Sequence, residues 1–71
     1  MNEFDVVALR EPYPVYDWQH NLVRLPKGAT GTVVRVHDNE AVEVEFTDFG
    51  KTVGIGPVPV ETLRVLHRYR P

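Results

Sequence analysis

The run Ala41-Val42-Glu43-Val44-Glu45-Phe46 constrains the fold more than any other stretch of this chain. Val42, Val44 and Phe46 alternate with Glu43 and Glu45, so an extended backbone sends the apolar set to one face and both carboxylates to the other. Elsewhere the apolar residues come in short β-prone bursts broken by Gly, Pro, Asp and Asn, a rhythm of strands and turns rather than of helices. The chain therefore reads as all-β.

Phe4 to Leu9 has the composition of a first strand. A long irregular loop is expected from Arg10 to Lys27, where Pro12, Pro14 and Pro26 interrupt regular structure. Gly28 and Gly31 bracket a turn that leads into Thr32–Val36, and His37–Glu40 reads as a hairpin turn. After the alternating strand, Asp48–Lys51 is a second turn and Thr52–Ile55 a short strand that Gly54 and Gly56 mark as a bulge or tight corner. Pro57-Val58-Pro59 is expected to end that ladder, with a 3₁₀ turn over Val60–Leu63 and a last strand from Arg64 to Leu66. Residues 66–71 would run out as a flexible basic tail. The sum is a small five-stranded barrel, closed or nearly so.

Seventy-one residues make one domain, residues 1–71, at a size where burial and chain entropy nearly cancel. The absence of cysteine removes disulfides, thiolate zinc sites and a cysteine nucleophile together, and favours a cytoplasmic setting. No apolar run is long enough to span a bilayer, and the start Met1-Asn2-Glu3 lacks the basic charge of a signal peptide. With 10 acidic and 8 basic residues, the net charge of −2 offers no general attraction to nucleic acid.

Four elements in order carry a resemblance: Asp5-Val6-Val7, Lys27-Gly28-Ala29-Thr30-Gly31-Thr32-Val33-Val34, Glu43-Val44-Glu45-Phe46 and Leu63-Arg64-Val65-Leu66. Over Phe4 to Leu66 the chain resembles the small bacterial proteins grouped as domain of unknown function 4926. The resemblance implies an SH3-like barrel and a bacterial cytoplasmic setting, and it implies no activity. The Gly-x-x-Gly-x-Val element also opens strands in ribosomal-type KOW modules and in the β-subunit barrel of nitrile hydratases. The stretch before Lys27-Gly28 is longer here than the family pattern, and rich in aromatics.

That stretch supplies Tyr13, Tyr16 and Trp18 as a candidate partner-binding surface; in the alternative reading, Trp18 caps the barrel and the tyrosines cover apolar edges. Glu43 and Glu45 form an acidic strand face, a second candidate surface that is equally well read as merely solvated. They do not read as a catalytic pair, because an open wet face gives them no contrast in environment. His20, His37 and His67 show no metal-ligand spacing, and the chain has no serine. No catalysis, cofactor or metal is expected.

The leading expectation is a non-catalytic protein-interaction module, in a specific version an antitoxin, immunity-type or regulatory partner of a larger protein. Homo-oligomerisation through a free strand edge belongs to the same expectation. One alternative is a KOW-like RNA- or ribosome-associated barrel using Lys27, Arg64, Arg68 and Arg70, against which the acidic strand weighs. Another is a small stabilising subunit of an enzyme, by analogy of fold.

Overall fold

The alternating run lies at the centre of the molecule. In the computed structural model, which describes residues 1–71, Ala41–Asp48 forms β5, with Val42, Val44 and Phe46 completely buried. It pairs antiparallel on one side with β4 (Thr30–Val36) and on the other with β6 (Lys51–Pro59). β1 (Val6–Leu9) pairs with β4 and with β7 (Leu63–His67), and a 3₁₀ turn at Val60–Thr62 precedes β7. On the far side of β6 lies a hairpin of β2 (Tyr13–Tyr16) and β3 (Leu22–Leu25).

The result is one antiparallel sheet of seven strands in the order β3-β2-β6-β5-β4-β1-β7. It is not a five-stranded barrel. The edge strands β3 and β7 do not pair with each other, so the sheet stays open. It is strongly curled all the same, because residues from every strand meet in one core, among them Leu9, Val15, Leu25, Val33, Phe46 and Leu63. A flat sheet could not bring both edges to one cluster.

Two extra strands come from the stretch expected to be irregular. Pro14 sits inside β2, opposite Arg24, and it is tolerated because β2 meets β6 only at Tyr16↔Ile55. The hairpin is closed by Asp17, whose Oδ1 accepts the N–H groups of Gln19 and Asn21, both at 2.9 Å. Its inward residue Val15 packs where Gly54 has no side chain. Gly54 thus marks a close crossing of strands, not a break.

Two further expectations need correction. Pro57-Val58-Pro59 does not end the ladder: β6 runs on to Pro59, paired as Glu43↔Pro57 and Ala41↔Pro59. Beyond Ile55 that strand has no neighbour on its other side, so a missing N–H costs nothing there. The first strand begins at Val6, since Phe4 has a φ of 70°, outside the extended region.

The hairpin turns read at His37–Glu40 and Asp48–Lys51 are present, whereas the turn at Lys27–Gly28 ends before Gly31, which lies inside β4. In the β4–β5 turn, Asp38 Oδ1 accepts the N–H groups of Glu40 (2.7 Å) and Ala41 (2.9 Å). These donors hold the Asp38 carboxyl below the usual range. In the β5–β6 turn, Phe49 (φ 51°) and Gly50 (φ 78°) are both left-handed, the conformation that suits a two-residue hairpin.

The two ends of the chain meet at Asp5. This side chain is fully buried, its Oδ2 accepting the Asn2 N–H at 3.0 Å and its Oδ1 the Tyr69 N–H at 2.9 Å. The Tyr69 ring also stands edge-on to Phe4, with centroids 5.2 Å apart. The Asn2 N–H chiefly, with the Tyr69 N–H and the charge of Arg68, holds the Asp5 carboxyl below the usual range, against the opposing effect of burial.

Candidate functional site

Residues directly opposite each other in an antiparallel ladder point to the same face. The register Leu22↔Tyr16, Tyr16↔Ile55, Ile55↔Glu45 and Glu45↔Thr32 therefore sets one row across five strands on the outer face of the sheet. Leu22, Tyr16 and Ile55 are adjacent in that row and are 65%, 52% and 42% exposed. Three large apolar side chains in a contiguous exposed line are the kind of feature that marks an interaction surface.

Trp18 joins them from the β2–β3 turn. It is 80% exposed, so it does not cap the core. With Tyr16, Asp17, His20, Glu45 and Ile55 it lines a pocket of about 290 Å³, whose floor includes Thr52 and Gly54. Glu45 is fixed at the pocket wall by the Thr52 hydroxyl, which donates to its Oε2 at 2.6 Å. One carboxylate beside apolar and aromatic surface can orient a partner that brings a cation.

Of the residues singled out in the sequence, Tyr16, Trp18 and Glu45 come together in this pocket. Tyr13 lies on the opposite face of β2, half-buried against the core. Glu43 lies on the same outer face two residues before Glu45, and its Oε1 lies 2.8 Å from His37 Nε2. Leu22 and Ile55 were missed, because only the register reveals that they flank Tyr16. No group of three His, Asp or Glu side chains is placed to hold a metal ion.

The basic candidates divide in a similar way. Arg64 and Arg68 line one depression at the β7 end of the sheet, together with Arg10, which sequence reasoning passed over. Lys27, in the turn between β3 and β4, and Arg70, beyond the last strand, do not line it.

No curated protein and no solved structure matches the chain. No helix is long and apolar enough to cross a membrane. A family model described as Domain of unknown function (DUF4926) matches residues 3–65, a span that holds the whole of the exposed row from β3 to β4. By that match over most of its length, the chain belongs to the DUF4926 family.

Proposed function

We propose that this protein is a non-catalytic interaction module that binds another protein through the outer face of β2, β3 and β6. The observation that carries this reading is the exposed line Leu22–Tyr16–Ile55 with Trp18 beside it. In so small a chain, apolar side chains are scarce and the core needs most of them. Four large ones left on one surface call for a partner to cover them. Glu45 and Asp17 at the pocket wall favour a partner that sets a basic group beside its own apolar contact.

A regulatory or antitoxin-like role toward a larger protein is the specific form of this proposal, and a cytoplasmic setting goes with it. An SH3-like character of the curled sheet belongs to the same reading, supported by the 3₁₀ turn ahead of the last strand.

The test is affinity capture from host cells with the natural chain and with a Trp18→Ser/Leu22→Ser double variant, each with and without nuclease. A stoichiometric protein held by the natural chain, lost by the variant and indifferent to nuclease supports the proposal. Equal capture by both chains would overturn the site, and loss on nuclease treatment would overturn the partner class.

A further inference from the structure

A second surface, remote from the apolar row, has different chemistry. Arg10 follows β1, Arg64 lies on β7, and Arg68 follows β7; all three are exposed and line one depression of about 540 Å³. None makes a salt bridge with a carboxylate; the one such contact in the molecule is His37 with Glu43, and Arg68 acts on Asp5 only through its charge. In a chain with more acids than bases, this depression gathers three arginines against a single lining acid. Arg10 is also anchored, its Nε–H donating to the Leu63 carbonyl at 2.9 Å, which leaves the terminal N–H groups of the fork to act.

The single acid in the lining is Asp38. Its Oδ1 is taken up by the two turn N–H groups, so its role there is structural, while its charge opposes an anion nearby. Val36, Val60, Leu63 and Val65 supply apolar parts of the lining. Guanidinium forks match the oxygens of phosphate in paired hydrogen bonds, which a lysine cannot do.

The geometry points to a binding site for a compact, multiply charged phosphate group, pyrophosphate-like in size and charge, held by Arg10, Arg64 and Arg68. A compact anion is favoured over a nucleic-acid backbone because three arginines line one hollow that Lys27 and Arg70 do not line. The group could be carried by a free nucleotide or pyrophosphate, or by the phosphorylated end of a larger molecule.

The experiment is titration of the full chain with inorganic pyrophosphate at low salt, followed by amide NMR shifts. Saturable one-to-one binding is expected, with shifts centred on Arg10, Arg64 and Val65. Affinity should fall roughly tenfold or more in Arg64→Gln/Arg68→Gln, both exposed positions, and stay unchanged in Lys27→Gln. Asp38→Asn, which keeps the turn's acceptor oxygen, should tighten binding. Failure to saturate by about 10 mM, or undiminished binding in the double variant, would overturn the proposal. Short RNA with and without a 5′-phosphate separates the sources: dependence on that phosphate assigns the site to a phosphorylated end. Tighter binding of unphosphorylated RNA that also needs Lys27 and Arg70 would overturn the compact site in favour of a backbone track.

Discussion

The buried carboxylate of Asp5 accepts the backbone N–H of Tyr69, 64 residues further along the chain, at 2.9 Å. Its other oxygen holds the Asn2 N–H, so one side chain closes the sheet's β1–β7 end on both termini. Asp5→Ala leaves two N–H donors without this acceptor and is expected to cost about 1–3 kcal/mol in urea unfolding. The folded-state carboxyl titrates below its ordinary value, so the stability it contributes is present above the unfolded pKa. That contribution is lost as pH falls through the lower folded pKa. The difference between natural chain and Asp5→Asn should therefore be largest at neutral pH and shrink in strong acid.

Gly54 and Val15 make a second testable pair. A β-carbon on Gly54 would overlap Val15 Cγ2, where β2 crosses β6. Gly54→Ala should destabilise by about 1–3 kcal/mol through overpacking. Val15→Ala in the same chain makes room, so the double variant should be less destabilised than the sum of the two. A double-mutant cycle by chemical denaturation measures that coupling, and strict additivity would show that the crossing is loose.

Phe49 sits with a φ of 51° at the tip of the β5–β6 turn and is 99% exposed. Its ring adds no packing, while its backbone occupies a region that asparagine and glycine tolerate better. Phe49→Asn is expected to raise stability by about 1 kcal/mol, read as an upward shift in the thermal midpoint.

Trp18→Ala separates folding from binding. Because the indole is mostly in solvent, stability should change by no more than about 0.5 kcal/mol. Capture of the partner should fall in the same variant. A large drop in melting temperature would show instead that the indole supports the β2–β3 hairpin.

What the sequence disclosed followed local physics. The alternation in β5 assigned Val42, Val44 and Phe46 to the core, and Asp38 and Gly50 announced their turns. The β2–β3 hairpin stayed hidden because Pro12, Pro14 and Pro26 read locally as breakers. What admits Val15 to the core is the bare backbone of Gly54, on a strand far along the chain. The candidate site was half legible for the same reason. Tyr16, Trp18 and Glu45 were named from residue type, but joining them needed the pairing of β2 with β6, a single bridge at Ile55. Arg10 escaped notice because it joins Arg64 and Arg68 only when β1 and β7 lie side by side.

The strand order also bears on how the chain reaches this state. β4, β5 and β6 are consecutive, joined by tight turns, so their ladder needs only short loops to close. The β1–β7 ladder and the Asp5–Tyr69 hydrogen bond span almost the whole chain and carry the largest closure entropy. The central three strands are therefore the natural nucleus, and the joining of the ends is the last step to form and the first to open. In native-state hydrogen exchange the amides of Val44 and Phe46 should outlast that of Tyr69.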